Sequence, residues 1–435
     1  MKSTFKNIIV NILTWEAKIV LRRYKPKIVA ITGSVGKTST KDAIYTALAP
    51  YVHVRRSEKS YNSEMGVPLS ILGQANGWTN PFIWAKTLIG GLWLVMFKQR
   101  YPEWLVLEVG ADKPGDIKSI TEWLKPDVVV LTRFPDVPVH IEFFESKEHV
   151  IEEKTALARA LKSDGLLVVN GDDPVVFALS GKFGAKTVAY GFHDMLPVRA
   201  KHLKFNYVDD GLGHKIPKGR EWTLALPDYE YIVSMPNIIG ESHISAALAA
   251  CAVIYGLGFN LEKAVQALYE YRTPPGRLSL LYGINGSIII DDTYNSSPVA
   301  STAALNLLKS FQMTGGRRIA VLGDMMELGK FTQEAHENIG HLIPESCDLL
   351  VTVGIRAKYV DEGAKEKGYS LTKIKHFDTA DQAGEFLKST VHGGDIVLIK
   401  GSQSIRLERA VKMLLVDPAK AKEYLVRQEK EWESR

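Results

Sequence analysis

Residues 32–39, near the start of the chain, have the residue types that bind a nucleoside triphosphate. They read Thr-Gly-Ser-Val-Gly-Lys-Thr-Ser and follow an apolar run at residues 28–31. Backbone N–H groups at glycines can approach phosphate oxygens, a lysine can neutralise the outer phosphates, and a threonine hydroxyl can bind Mg²⁺. The predicted ATP-binding residues are Gly33, Ser34, Val35, Gly36, Lys37, Thr38 and Ser39. The glycines lie closer together than in the common P-loop, so a plain glycine turn before a helix is the alternative.

Apolar runs rich in β-branched residues alternate with helical stretches, which is typical of parallel sheets with helices on both faces. The runs are Ile28–Thr32, Trp104–Val109, Asp127–Thr132, Leu166–Asn170, Ile288–Asp292, Arg318–Gly323, Leu349–Gly354 and Asp395–Lys400. Residues 194–228 lack this pattern and are expected to form short antiparallel strands and loops. Proline and glycine cluster at residues 271–277, which suits a hinge between domains.

These patterns predict an α/β protein in three parts. A basic amphipathic helix is expected at residues 1–27, and a P-loop ATP-binding domain with a mostly parallel sheet at residues 28–272. A second, Rossmann-like α/β domain is expected at residues 273–435.

The composition of the chain argues against several classes of protein. The chain has 435 residues, a formal net charge of +5 and two cysteines, Cys251 and Cys347, which lie far apart. This cysteine usage argues against a disulfide framework or a structural zinc site and favours the cytoplasm. Lysines and arginines are interspersed with acidic residues and form no basic stripe, so nucleic acid is not an expected partner.

Two segments suggest contact with a membrane surface. Residues 1–27 combine large apolar side chains with a basic end, and residues 82–97 are almost entirely apolar. The second segment is shorter than the roughly 20 apolar residues that span a bilayer. Peripheral contact at the inner membrane face is one interpretation of each segment. Docking of the first helix on its own domain is the alternative, and for residues 82–97 the sequence favours a buried helix.

Five further segments, in order along the chain, complete a recognisable pattern. Together with residues 32–38 they resemble the Mur ligase family of ATP-dependent ligases over residues 28–410. The segments are Tyr61–Leu69, Leu107–Ile117, Asp291–Pro298, Gly323–Gly329 and Lys400–Ser402. One such segment would be weak evidence, but six in the family's order are specific.

The resemblance implies the roles of individual residues. Thr38 and Glu108 would bind one Mg²⁺, while His140 and a lysine carbamylated by CO₂, Lys154, would bind a second. Lys37, Lys154 and His140 would carry catalysis by offsetting charge on the transferred phosphoryl group. The second domain would contribute nucleotide-binding residues, which are Arg277, Asp292 and Asn295.

The implied reaction is ATP-dependent amide formation through an acyl phosphate during peptidoglycan precursor synthesis. It joins D-alanyl-D-alanine to a UDP-N-acetylmuramoyl-tripeptide-like carboxylate, so small-molecule substrates and a monomer are expected. A folylpolyglutamate-synthase-like ligase acting on another carboxylate, or an ATP-binding scaffold without catalysis, are the alternatives.

The sequence also departs from the family's pattern. Only a helix-sized extension precedes the glycine segment, so the family's N-terminal UDP-sugar-binding domain is expected to be missing. The positions expected near the nucleotide base read Ser242, His243 and Ala246, and glutamine follows Lys400-Gly401-Ser402. Base recognition and the choice of amino substrate are therefore left open.

Overall fold

The computed structural model describes residues 2–57, 61–78, 80–111, 113–134, 143–209, 211, 213–429 and 432. The strands are β1 Lys27–Thr32, β2 Val54–Arg56, β3 Trp104–Glu108, β4 Val128–Leu131, β5 Leu166–Asn170, β6 Lys186–Gly191, β7 Val198–Asp209, β8 Lys215–Ala225, β9 Glu230–Pro236, β10 Ser279–Tyr282, β11 Ile288–Asp292, β12 Arg318–Gly323, β13 Leu349–Val353, β14 Ile374–Phe377 and β15 Ile396–Lys400. The helices are α1 Lys2–Tyr24, α2 Lys37–Leu48, α3 Gly66–Leu72, α4 Pro81–Met96, α5 Asp116–Thr121, α6 Lys147–Arg159, α7 Pro174–Phe177, α8 Glu241–Gly256, α9 Leu261–Leu268, α10 Pro298–Ser310, α11 Thr332–Gly340, α12 Ile343–Ser346, α13 Lys358–Glu366, α14 Ala380–Thr390, α15 Glu408–Leu414 and α16 Ala421–Tyr424.

The first sheet has nine strands in the order β2-β3-β1-β4-β5-β6-β7-β8-β9. Its neighbours are parallel from β2 to β7, and β8 and β9 extend it as antiparallel strands. In the register of the central strands, Ile31 of β1 pairs with Glu108 of β3, and Thr32 pairs with Leu131 of β4. The three strands therefore end at the same edge, where open α/β sheets bind ligands.

Helices cover both faces of this sheet, as its apolar strands require. Buried side chains of α2, α8 and α9 pack on one face, and those of α1, α3, α5 and α6 pack on the other. The second sheet has six strands in the order β10-β11-β15-β12-β13-β14, and β10 alone among them pairs antiparallel. The predicted fold class, α/β with two wound sheets, is confirmed.

Residues 269–278 join the two sheets, and the predicted boundary between residues 272 and 273 falls inside this linker. The antiparallel strands β7 and β8 are longer than expected. They form a second connection between the first sheet and the second domain. Phe205 of β7 packs on Phe311 at the end of α10 with ring centroids 5.2 Å apart. The backbone N–H of Lys215 donates to Thr314 Oγ1 at 2.8 Å. The hairpin of the first sheet is therefore attached to the second domain.

The predicted N-terminal helix is α1, and it packs on the first domain through Ile9, Leu13 and Val20. The prediction that residues 82–97 form a buried helix is wrong. Only Trp84, Thr87 and Gly91 of α4 are buried, whereas Phe82 is 84 % exposed and Ile89 is 65 % exposed. Apolar composition predicted a helix here but could not indicate which of its faces meets the protein. Within the described part of the chain, no helix has the length and apolar character needed to cross a bilayer.

Glu16 of α1 lies buried where α1 meets Gly91 of α4. A β-carbon on residue 91 would come within 2.0 Å of Glu16 Oε2, and that oxygen is buried without a hydrogen-bond partner. Burial raises the pKa of this carboxyl from 4.5 to about 7. The folded state therefore holds the proton more tightly than the unfolded chain. This contribution to stability is complete below about pH 4.5 and is lost as the pH rises through about 7.

We expect Glu16→Gln to flatten the pH dependence of stability and to stabilise the protein by about 1–3 kcal/mol near pH 8. Urea unfolding near pH 5.5 and near pH 8 measures both effects. Glu122→Gln, at an exposed carboxyl of the same domain, is the matched control and should change neither value. Equal losses of stability with rising pH in the wild type and Glu16→Gln would contradict the assignment.

Candidate active site

The glycine segment forms a tight loop between β1 and α2. Gly36 has φ +88° and is the N-cap of α2, and as a glycine it provides no side-chain cap for the first turn of the helix. Gly33 has φ +149°, and a β-carbon there would lie 1.9 Å from Thr132 Oγ1. The backbone conformation favours glycine at both positions, and the close contact with Thr132 also requires it at residue 33.

The end of β4 holds this loop in place. Thr132 Oγ1 donates to the carbonyl of Val35 at 2.7 Å, and the backbone N–H of Ser34 donates to the carbonyl of Arg133 at 2.8 Å. Ser34 Oγ is buried and has no hydrogen-bond partner among the described atoms. A pinned loop with an unsatisfied hydroxyl and an uncapped helix fits an oxyanion such as a phosphate.

Two lysine side chains meet at the loop. Lys37 Nζ donates to the carbonyl of Gly33 at 2.9 Å, and Lys154 Nζ donates to the same oxygen at 3.3 Å. Lys154 comes from α6 and is buried. Two ammonium groups close together in a protein interior repel each other, and an anionic ligand between them would relieve that repulsion.

A carboxylate lies beside the loop at the end of β3. Glu108 is buried, and its Oε2 accepts a hydrogen bond from Thr38 Oγ1 at 3.0 Å. Its Oε1 accepts from Asn62 Nδ2 at 3.1 Å. Carboxylate, hydroxyl and amide oxygens are ligands of the type that Mg²⁺ prefers. The pair Thr38 and Glu108 therefore fits a Mg²⁺ ion next to bound phosphates.

A buried chain of hydrogen bonds links α2 to the linker between the sheets. The hydroxyl of Tyr271 donates to the carbonyl of Ser39 at 3.4 Å and lies 3.0 Å from His243 Nδ1. His243 Nε2 lies 2.7 Å from the carbonyl of Arg277. Burial lowers the pKa of His243 from 6.5 to about 4, so the ring is neutral at pH 7. The resemblance places His243 near the nucleotide base. In the structure its ring contacts the carbonyl of Arg277 and so helps to hold the linker.

The second domain places its predicted residues at the carboxyl ends of β11 and β15. Asp292 pairs with Lys400 in the sheet register, and Lys400 Nζ donates to Asp292 Oδ2 at 2.7 Å and to the carbonyl of Asn295 at 3.0 Å. The guanidinium of Arg277 stacks 4.0 Å above the ring of Tyr294, and its Nε is buried without a partner. A guanidinium held this way can bind a phosphate.

The predicted residues thus fall into two clusters. Gly33, Lys37, Thr38, Glu108 and Lys154 lie together at the edge of the first sheet, and Ser34, Val35, Gly36 and Ser39 complete the loop. Arg277, Asp292 and Asn295 lie at the edge of the second sheet, and the hydrogen-bond chain through His243 connects the linker to α2. His140 lies outside the described residues. Within the described ranges, no group of three or more His, Cys, Asp and Glu side chains is arranged to hold a metal ion.

Several residues of the site were not predicted as such. They are Asn62, Thr132, Tyr271 and Lys400. Asn62 and Lys400 lie within segments that carry the family resemblance, and this location was the signal that could have identified them. Thr132 closes an apolar run at the binding edge, but a threonine there is common. Tyr271 has no local signal because its contacts join distant segments. His243 was expected near the nucleotide base, and its contact with the linker was not predicted.

A pinned glycine loop at the carboxyl edge of a parallel sheet, followed by a second α/β domain, defines a two-domain P-loop enzyme. The model of the Mur ligase middle domain matches residues 91–254, and that of the Mur ligase glutamate ligase domain matches residues 276–403. The chain therefore belongs to the Mur ligase family and is an ATP-dependent ligase.

Individual relatives agree with this assignment. The chain is 28 % identical over 403 residues to the UDP-N-acetylmuramoyl-tripeptide–D-alanyl-D-alanine ligase of Bacillus subtilis, covering 92 % of this chain and 79 % of that protein. The structure of the MurF ligase from Thermotoga maritima in complex with ADP superposes with a TM-score of 0.75 at 26 % identity, covering 95 % of this chain and 84 % of that one. Folylpolyglutamate synthase of Mycobacterium tuberculosis shares the fold, with a TM-score of 0.63, 16 % identity and coverages of 90 % and 93 %.

Gly33→Ala tests the close packing of the loop. The added methyl group collides with Thr132 Oγ1, so we expect the affinity for ATP to fall at least about tenfold, with a loss of roughly 1–3 kcal/mol in stability. Isothermal titration calorimetry and urea unfolding measure these effects. Gly181→Ala is the matched control, since Gly181 has φ +78° but open space around its β-carbon position. Equal ATP affinity in both variants would contradict the role given to Gly33.

Tyr271→Phe tests the hydrogen-bond chain. Removing the hydroxyl leaves buried His243 Nδ1 without that partner, so we expect about 1–3 kcal/mol of destabilisation. Because the linker is then held less firmly, turnover should fall more than ATP affinity does. Tyr269→Phe, at an exposed tyrosine two residues away, is the control and should change neither. An unchanged free energy of unfolding in Tyr271→Phe would show that these hydrogen bonds do not contribute to stability.

Proposed function

We propose that the protein ligates D-alanyl-D-alanine to a UDP-N-acetylmuramoyl-tripeptide-like carboxylate, with ATP as the energy source. The observation that carries this is the convergence of Lys37 and buried Lys154 on the carbonyl of Gly33, beside the Thr38–Glu108 pair. The identity of the substrates is proposed from the Bacillus subtilis relative, which is 28 % identical over 403 residues, or 92 % of this chain.

In the proposed reaction, an oxygen of the acceptor carboxylate attacks the γ-phosphorus of ATP, and ADP leaves. The amine of the dipeptide then attacks the carbonyl carbon of the acyl phosphate, inorganic phosphate leaves, and the nitrogen loses a proton. The loop N–H groups and Lys37 hold the transferred phosphoryl group and offset its charge. Thr38 and Glu108 would hold a Mg²⁺ ion, which would supply further positive charge beside the phosphates.

We further propose that Lys154 reacts with CO₂ to form a carbamate and that a second Mg²⁺ binds there together with His140. The ammonium group first loses a proton. The neutral amine then adds to carbon dioxide, an N–C bond forms and a second proton is released, so the side chain changes from a cation to an anion. The contact of two lysines with one carbonyl supports this proposal. Losing the positive charge of the buried lysine removes a repulsion and creates a metal ligand.

The second domain would close on the nucleotide. Arg277 would bind a phosphate through its buried guanidinium, and Asp292 and Asn295 would accept from the ribose hydroxyls. Closure would exclude water that hydrolyses the acyl phosphate. Both cysteines are buried free thiols, which supports the cytoplasm as the site of the reaction.

The test is phosphate release by the purified full chain with Mg·ATP, D-alanyl-D-alanine and UDP-N-acetylmuramoyl-tripeptide, with and without bicarbonate. Release should require both substrates. Lys154→Arg retains the positive charge but cannot form a carbamate, so we expect at least about a hundredfold loss of activity. Lys162→Arg is the control because it retains an exposed ion pair with Asp127.

Release with a folate or another carboxylate but not with the muramoyl peptide would favour the ligase alternative. No release with any acceptor, despite ATP binding, would favour the scaffold alternative. Full activity in Lys154→Arg would overturn the carbamate while leaving the ligase assignment in place.

A further inference from the structure

Helix α4 carries most of its large apolar side chains on the side that faces solvent. Its buried stripe consists of Trp84, Thr87 and Gly91, whereas Phe82, Ile89 and Trp93 are exposed. A surface helix of a globular protein normally has the opposite arrangement, with its apolar stripe toward the core. Among the described residues, nothing covers the exposed side of α4, although its apolar composition favours burial.

Helix α1 presents a second apolar row and packs beside α4. The guanidinium of Arg23 donates to the carbonyl of Val95 at 3.0 Å, and Glu16 meets Gly91. Its exposed apolar residues Ile8, Ile12 and Trp15 recur at helical spacing. We call the exposed side chains of these two helices the α1/α4 face, which consists of Ile8, Ile12, Trp15, Phe82, Ile89 and Trp93.

The charges on these two helices and the residues next to them are almost all positive, although Lys6 pairs with Glu64 of a neighbouring segment at 2.9 Å. Residues 2–27 and 80–100 contain ten lysines and arginines and a single acidic residue, Glu16, which is buried. The whole chain has only five more basic than acidic residues, so outside these two segments acidic residues predominate. Lys18, Arg22 and Lys86 are exposed on the two helices themselves. The positive charge of the chain is thus concentrated where its unpartnered apolar side chains lie.

The exposed apolar side chains and the positive charges of the α1/α4 face together favour one kind of binding partner. Tryptophans and phenylalanine on an apolar helix face, flanked by cations, are typical of helices that lie in the interface of an anionic bilayer. A second copy of the chain would bring two positive faces together, which costs electrostatic energy at low salt. We propose that the α1/α4 face docks on the surface of a membrane that contains anionic phospholipid, with both helices parallel to its plane.

This proposal rests on the surface alone and does not depend on the reaction catalysed. The two helices lie on the opposite face of the first sheet from α2, which carries the phosphate loop. Docking therefore leaves α2 uncovered. We expect ATP binding to be the same in the free and the vesicle-bound protein.

Flotation with vesicles tests the proposal. The full chain should bind vesicles of phosphatidylcholine that contain about one third phosphatidylglycerol and bind pure phosphatidylcholine at least about tenfold more weakly. Lys18→Gln, Arg22→Gln and Lys86→Gln together should reduce binding about a hundredfold at low salt, because each charge near an anionic surface contributes roughly a fivefold factor. Lys375→Gln, Lys388→Gln and Lys422→Gln form the matched control, which removes the same charge elsewhere on the surface.

A second set of variants tests the apolar part. Phe82→Ser, Ile89→Ser and Trp93→Ser together should reduce vesicle binding at least about tenfold. Met195→Ser, Ile232→Ser and Leu371→Ser change equally exposed apolar residues elsewhere and should leave binding intact. ATP affinity and circular dichroism verify that each variant is folded. Brominated lipid chains should quench tryptophan fluorescence, and Trp93→Phe should diminish that quenching.

Three results would overturn the proposal. The first is absence of binding to anionic vesicles, and the second is binding that is unchanged in both sets of variants at the α1/α4 face. The third is a concentration-dependent dimer in light scattering that is lost in the serine variant, with no vesicle binding, which would assign the face to self-association.

Discussion

The parallel pairing of β1 with both β3 and β4 is the constraint on which the nucleotide site depends. Because Ile31 pairs with Glu108 and Thr32 pairs with Leu131, the loop after β1 begins level with the carboxylate and with Thr132. A shift of one residue in either pair would turn the side chains to the other face of the sheet. The Thr38–Glu108 contact and the pinning of Val35 by Thr132 both follow from this register.

The buried hydrogen bonds from Ser39 through Tyr271 and His243 to Arg277 extend this constraint to the linker. A neutral histidine suits the position, because its one N–H can donate to the carbonyl of Arg277 without placing a charge in the interior. The same network that orients the first turn of α2 therefore orients the residue that stacks on Tyr294.

Much of the fold and part of the site could be predicted from the sequence. Buried parallel strands are continuous apolar runs, and each of the eight predicted runs matches a strand to within one residue at each end. Glu108 and Asp292 could therefore be placed at strand ends. The exposure of α4 could not be predicted, since an apolar helix has the same composition whether it faces a core or solvent. Tyr271 and the contact of His243 with the linker were missed because these hydrogen bonds join segments with no local pattern in common. Thr132 was missed because its contact depends on the register of β4, which the sequence does not encode locally.

The β7–β8 hairpin changes how the two halves of the molecule can move. The linker at residues 269–278 is one attachment between them, and the contacts of Phe205 and Lys215 with Phe311 and Thr314 are another. A body held at two separated points retains one easy motion, which is rotation about the line that joins them. Sliding and twisting of one sheet past the other would break the hairpin contacts, so the proposed closure of the edge that carries Asp292 on the phosphate loop would follow a single arc. The direction of that closure would be set by the fold before any ligand is bound.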